Sequence, residues 1–381
     1  MTAAERAALA RAVALAARAT PRVSPNPAVG CVLLRDDRIV GEGVTEPPPG
    51  RHAEVVALAA AGEAARGATA VVTLEPCAHH GRTPPCTTAL LAAGVARVVV
   101  GHPDPHAVAA GGAAALARAG VEVVGPPPPG TTLRGSVAAQ LEGFLTTLVA
   151  GRPHVTLKVA VTADGSVLPP PGERWVTGPA ARRAVHRWRS QVDGVLVGSG
   201  TVVADDPRLD VRDVDHEHQP AAVVLDARLR TPPKARVVRP GTVLVTVEPG
   251  HQDLPGQQQR ARRVARLRDA GVHLVAVPAA DDGRGVALRA ALAALAGVGM
   301  VSLLAEPGPT LSGALLRAGL VDRLVRHVAV HLGDTAPSAL ITPPRGTWSL
   351  ERSGGAGADA IVQYRALDHH PSTVPGPTPG T

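Results

Sequence analysis

Short apolar runs rich in Val, Leu and Ile alternate along this chain with Ala- and Leu-rich stretches of helical period. Runs of four to six such residues bounded by Gly, Pro or Asp read as buried strands, and the longer Ala/Leu segments read as helices. In the first half, residues 29–34, 69–73 and 97–100 are expected strands, and 54–65, 87–93 and 140–149 expected helices. In the second half, the apolar stretch from Leu157-Lys158 to the Asp164-Gly165 turn, residues 192–197 and residues 301–305 are expected strands. Gly198-Ser199-Gly200-Thr201, 204–212 and 306–313 read as loops, with a helix from Ala314. Such alternation defines an α/β protein. Length and the pattern suggest two domains, 1–150 and 151–366, followed by a Pro/Thr/Ser/Gly-rich tail, 367–381, expected to be disordered.

The longest uncharged run, 290–305, is too short to span a bilayer and is split by Gly297 and Gly299 into a helix and a strand. Glu5, Arg6, Arg11 and Arg18 interrupt the Ala-rich N-terminal stretch, which reads as an amphipathic helix rather than a signal peptide. The net charge of +7 is spread along the chain and almost all of it is Arg, while aromatic residues make up only 1%. Stacking platforms for bases are therefore scarce, and no nucleic-acid or membrane partner is expected. Three cysteines give no disulfide framework, which fits a cytoplasmic protein.

The chemistry is concentrated in His52-Ala53-Glu54 and in Glu75-Pro76-Cys77 with Cys86 nine residues on. A catalytic zinc site needs three protein ligands and one open position, and His52, Cys77 and Cys86 supply the three. Glu54, two residues after the imidazole, is placed to move protons without occupying the metal. Two core cysteines that happen to follow a surface His would be the bland alternative. However, Cys77 and Cys86 each follow a proline on either side of a polar Gly-Arg-Thr-Pro loop, where structural cysteines do not belong. Cys31, inside an apolar run, reads as a packed core thiol.

Eight residues separate Cys77 from Cys86, against two in the usual deaminase signature. Ser24-Pro-Asn-Pro-Ala-Val-Gly30, His52-Ala-Glu54 and the block from Thr73 to Cys86 together resemble the bifunctional riboflavin-biosynthesis deaminase–reductases. Leu157-Lys158, Trp175-Val-Thr177, Ala204-Asp-Asp-Pro207 and Glu306 with Gly308-Pro-Thr-Leu-Ser-Gly313 resemble the reductase half of the same family. The resemblance implies a cytidine-deaminase-like three-layer α/β/α domain followed by a dihydrofolate-reductase-like α/β domain. It also implies Zn²⁺ and NADPH as cofactors and a phosphorylated pyrimidine as the small-molecule partner; the chain is expected to be a homo-oligomer.

Carried over by position, Glu54, Lys158 and Asp205 are the implied catalytic residues and His52, Cys77 and Cys86 the metal ligands. Ala160, Trp175, Thr201, Asp205 and the run Gly308, Pro309, Thr310, Leu311, Ser312, Gly313, Ala314 are implied to contact the dinucleotide. Asn26, Arg82, Arg189, Leu209, Arg212 and Glu306 are implied to contact substrate. The chain departs from the family at Thr45, Thr162, a segment 168–174 one residue short, and His331-Leu-Gly333. These departures leave as an alternative a deaminase whose reductase half is weakened or repurposed. Trp188 reads as core, and His216-Glu-His218 as a solvated insertion.

Overall fold

The computed structural model describes residues 1–79, 84–106, 108–167, 169, 172–248, 257–330 and 347–367. Arg82, the motif at 331–333, the tail from 368 and part of the 168–174 segment lie outside these residues. The described residues form two compact units, 1–150 and 151–367.

The first unit is a five-stranded sheet in the order β2 (Arg38–Val44), β1 (Gly30–Arg35), β3 (Thr69–Val72), β4 (Arg97–Val100), β5 (Glu122–Val124). β1 runs antiparallel to both neighbours, and β3, β4 and β5 are parallel. Helices α1 (Ala3–Ala19) and α2 (Ala53–Ala61) lie on opposite faces, and the glycines show why. A Cβ on Gly30 would sit 2.0 Å from the Ala12 carbonyl oxygen of α1. One on Gly43 would sit 2.2 Å from the Ala53 carbonyl oxygen of α2. Gly43 pairs with Cys31, so its face is the one opposite Gly30. Only glycine lets both helix backbones come this close, and the result is a three-layer α/β/α unit. Leu9, Leu33, Leu90 and Leu116 are fully buried between the layers, each stabilising the unit by about 2 kcal/mol.

α3 (Cys86–Ala92), α4 (Gly112–Arg118) and α5 (Thr132–Ala150) complete the unit. α5 begins eight residues before its expected start at 140. Gly135 inside it disfavours helix by about 1 kcal/mol, but burial of Val137, Leu141 and Leu145 outweighs that cost.

The second unit is a nine-stranded sheet: β10 (His273–Val277), β9 (Val243–Val247), β8 (Ala221–Leu225), β7 (Gly194–Gly198), β11 (Ser302–Ala305), β6 (His154–Val161), β12 (Arg323–Val328), β14 (Asp359–Ala366), β13 (Trp348–Ala356). The strands from β10 through β12 are parallel, and β14 and β13 add an antiparallel hairpin at one edge. The helices are α6 (Pro179–Arg189), α7 (Ser199–Asp205), α8 (Gln257–Asp269), α9 (Leu288–Gly297) and α10 (Pro309–Arg317). From β7 the chain winds outward to β10, then returns to insert β11 between β7 and β6. That reversal makes the C-terminal ends of β7 and β11 a switch point, where open α/β sheets bind ligands.

Two of the expected loops are helical. The Gly198-Ser-Gly-Thr turn opens α7, and α10 begins at Pro309 rather than Ala314. Gly198 and Gly308 are the N-caps, and Pro309 occupies the first turn, where a missing N–H costs nothing.

Candidate active sites

Three neighbouring loops build the first site. His52 is the N-cap of α2, and its ring makes no capping bond, so it is free to face the thiols. Cys77 follows β3 in a loop held by Glu75, whose carboxylate accepts from Asp104 N (3.2 Å), Gly111 N (3.1 Å) and Ala113 N (2.9 Å). Cys86 opens α3, and its N–H donates to the Cys77 sulfur at 3.4 Å. His52 Nδ1 lies 3.2 Å from Cys86 Sγ and 3.7 Å from Cys77 Sγ. The three donor atoms all lie within 4.8 Å of one another. Tetrahedral zinc with its usual Zn–N and Zn–S bonds spaces such donors about 3.6 Å apart, so the donor set fits this ion.

Hydrogen bonding from Cys86, then from His52, holds the Cys77 thiol well below its usual range, to about 4, whereas Cys86 is pushed up. The bond to Cys77 raises the His52 pKa. Glu54, in the first turn of α2, is 3% exposed, and burial pushes its carboxyl up. His52, Glu54 and Cys77 line a cavity of about 260 Å³ together with Asn26, Thr45 and Asp104. His79, His106 and Phe144 complete part of its wall. His79 Nδ1 and His106 Nδ1 are buried there without a hydrogen-bond partner among the described residues. Sequence reasoning singled out neither histidine for a role, because nothing local shows that residues 79 and 106 share a wall with Asn26. Thr45, one of the departures, accepts a hydrogen bond from Val29 N at 3.0 Å.

The second site lies in the second unit. Arg189, the last residue of α6, forms a bidentate pair with Glu306 at the end of β11, at 2.7 and 3.2 Å. Its remaining nitrogen donates to the Asp210 carbonyl at 3.0 Å. Both side chains are 12% exposed. Against its burial, Arg189 and then Lys158 hold the Glu306 carboxyl down at about 2. Burial lowers the Lys158 pKa; Glu306 opposes that shift and Arg189 reinforces it. Arg212 donates to Asp210 at 2.6 Å, and its N–H reaches His186 at 3.4 Å.

Ala160 lies on β6 two residues beyond Lys158. Thr201 in α7 accepts from Gly308 N at 3.2 Å, joining the two helix starts across neighbouring parallel strands. Gly198 and Gly308 have no side chain to cap these starts, which leaves backbone N–H groups for a dinucleotide's phosphates; the donor set fits NADPH. Trp175 is exposed, with the Arg174 and Arg182 guanidiniums 5.1 and 5.4 Å from its ring centre.

Two implied residues sit outside this group. Leu209 has its side chain buried in the core, so only its backbone (φ 52°) is available to a ligand. Asp205 ends α7 exposed, and its side chain makes no hydrogen bond or ion pair among the described residues. His327 on β12 was not anticipated. It is fully buried one strand from Ala160, edge-on to Trp188 at 5.7 Å, with both ring nitrogens lacking a hydrogen-bond partner among the described residues. Burial lowers its pKa to about 4. Trp188 is half-buried, and His216 and Glu217 are exposed. Thr162 closes the turn after β6 through Asp164 and the Ser166 carbonyl.

Two family models match: the cytidine and deoxycytidylate deaminase zinc-binding region over residues 2–102, and the RibD C-terminal domain over residues 153–345. The class is thus a cytidine-deaminase-type zinc domain joined to a RibD-type reductase domain. RibD of Escherichia coli is 40% identical over 351 residues, covering 88% of this chain and 90% of its own. RibD of Mycobacterium tuberculosis is 38% identical over 310 residues, covering 80% and 79%. The solved structure of Acinetobacter baumannii RibD is 36% identical with a TM-score of 0.80, covering 96% of this chain and 99% of that one. A Thermotoga maritima diaminohydroxyphosphoribosylaminopyrimidine deaminase/5-amino-6-(5-phosphoribosylamino)uracil reductase is 28% identical with a TM-score of 0.79 and the same coverage. The chain belongs to the RibD family of riboflavin-biosynthesis proteins. Among the described residues, no helix is long and apolar enough to cross a membrane.

Proposed function

We propose that the first unit hydrolytically deaminates 2,5-diamino-6-(5-phosphoribosylamino)pyrimidin-4-one. The second unit then reduces the ribosyl group of the product, giving 5-amino-6-(5-phosphoribitylamino)uracil. The observation that carries this reading is the convergence of His52, Cys77 and Cys86 beside a cavity that also holds Glu54. These three side chains would hold zinc, which when bound would supply an acidified water as the nucleophile for the amine-bearing ring carbon at neutral pH. Glu54 takes the water's proton on a carboxylate oxygen and passes it to the ring nitrogen; it then takes the proton of the hydroxyl added to the ring carbon and passes that one to the amine, which leaves as ammonia while the carbonyl forms. Asn26 orients the ring, and Arg82 contacts the substrate.

In the second unit, NADPH supplies the hydride for C1 of the opened sugar. Ala160, Trp175, Thr201 and residues 308–314 would hold the dinucleotide, and the backbone N–H groups at the start of α10 would suit its phosphates. Arg189, the Leu209 backbone and Glu306 position the substrate, and Arg212 grips its phosphate. Lys158 holds the transferred proton at Nζ, and Asp205 serves the cofactor side. The intact Arg189–Glu306 pair beside Lys158 supports a working reductase.

Separating the half-reactions tests this assignment. Glu54→Gln should keep its zinc and lose deamination by about a thousandfold. Reduction of substrate that has already been deaminated should survive. Loss of both activities together would contradict a two-site enzyme.

A further inference from the structure

A second cavity, of about 780 Å³, opens at the other end of the nine-stranded sheet. Asp193 just before β7, Ala221 and Ala222 at the start of β8, and Arg239, Pro240 and Gly241 before β9 form its wall. These are N-terminal strand ends, whereas Thr201 and the Gly308 loop follow C-terminal ends. One length of β7 separates the two levels, about 13 Å at the usual rise per residue.

Three arginines, Arg208, Arg236 and Arg239, line the cavity, and the aspartates beside them each have at least one carboxylate oxygen engaged. Asp193 accepts from Val301 N (2.9 Å), Ser302 N (2.8 Å) and Ser302 Oγ (2.8 Å). Asp210 gives one oxygen to Arg208 at 2.7 Å and the other to Arg212 at 2.6 Å. Arg236 lies 3.7 Å from Asp206. Arg239 has no carboxylate partner among the described residues. Its guanidinium donates to the Arg208 carbonyl at 2.6 Å, and burial beside Arg208 pushes its pKa down against the pull of Asp210. Pro220, Ala221, Ala222 and Pro240 supply an apolar surface in the same cavity.

We propose that this cavity is a second ligand site, separate from the reductase site, for a phosphorylated small molecule with an apolar body. Arg208 and Arg239 hold the phosphate, whose three oxygens suit a pair of planar guanidiniums better than the two oxygens of a carboxylate would. The Pro220, Ala222 and Pro240 surface takes the body. The cavity volume is that of a small-molecule site. Asp210 marks the boundary, since its two oxygens divide Arg208 on this side from Arg212 on the substrate side.

The test is calorimetric titration of the full chain, saturated with NADPH, with phenyl phosphate, inorganic phosphate and benzoate. Phenyl phosphate should bind one site per chain that persists in Arg212→Gln, more tightly than either inorganic phosphate or benzoate. Arg208→Gln and Arg239→Gln should each weaken it about tenfold, the loss of one charge-assisted contact. Both side chains reach solvent, and melting temperatures near the parent's will show that these variants fold. Arg212→Gln should leave binding within about twofold, because its partner Asp210 keeps Arg208 in place. The proposal fails if phenyl phosphate shows no saturable binding or if benzoate binds as tightly. It also fails if the two variants bind like the parent, or if Arg212→Gln abolishes binding and so places the anion on the substrate side.

Discussion

Replacing Arg189 with Met removes the guanidinium that neutralises Glu306 while keeping most of its packing volume. Glu306 titrates at about 2 instead of the ordinary 4.5, a difference of 2.5 pH units and so about 3 kcal/mol. Because the folded pKa is depressed, this stability is fully present above pH 4.5 and is lost as the pH falls toward 2. Both side chains are 12% exposed, so solvent screens little of it. Lys158 shares in holding Glu306 down and stays in place, so Arg189→Met should cost the second unit at most about 3 kcal/mol at pH 7, or roughly 6–12 °C in Tm. Adding Glu306→Gln to Arg189→Met removes the stranded charge and should restore about 2 kcal/mol. All three tryptophans, Trp175, Trp188 and Trp348, lie in the second unit, so urea melts followed by tryptophan fluorescence report on it alone. A double variant no more stable than Arg189→Met would refute the buried-pair argument, as would a single variant that loses less than about 1 kcal/mol, the range of an exposed pair.

Cys77→Ser or Cys86→Ser should lower bound zinc from about one per chain to a small fraction of that by elemental analysis; full zinc retention would remove these residues from the ligand set. His327 titrates at about 4 in the fold against 6.5 outside it, so the unfolded chain binds the extra proton and stability falls with pH below 6.5. His327→Phe should abolish about 2 kcal/mol of the stability lost between pH 7 and pH 5, read from urea melts at both values; an unchanged slope would assign that loss elsewhere. Asp205→Ala breaks no bond among the described residues, so Tm should hold while NADPH-dependent reduction falls; a normal reduction rate at saturating NADPH would exclude the residue.

What the sequence showed of this protein follows from range. Cys77 and Cys86 lie nine residues apart and His52 is joined to them by a simple crossover, so donor chemistry and loop prolines were enough to nominate the three that converge within 4.8 Å. The strand Arg97–Val100, three buried valines after a half-buried Arg and followed by Gly101, was legible at both ends. The starts of α7 and α10 were hidden by their own composition, since Gly198-Ser-Gly-Thr and Glu306-Pro-Gly-Pro read as turns until the glycine caps are seen in place. The Arg189–Glu306 pair spans 117 positions, and only insertion of β11 beside β7 brings the two together. His79, His106 and Phe144 around the Glu54 cavity, and His327 beside Ala160, likewise depend on tertiary placement that no local pattern encodes.

The most direct test is to incubate the purified chain with 2,5-diamino-6-(5-phosphoribosylamino)pyrimidin-4-one, with and without NADPH, and resolve the products by mass. Without NADPH the amine should be exchanged for a carbonyl and the reaction should stop there. With NADPH the same product should gain two hydrogens, one NADPH being consumed for each molecule of ribityl compound formed. An unaltered substrate in the zinc-loaded protein, or a deaminated product that never proceeds when NADPH is present, would contradict the two-site account.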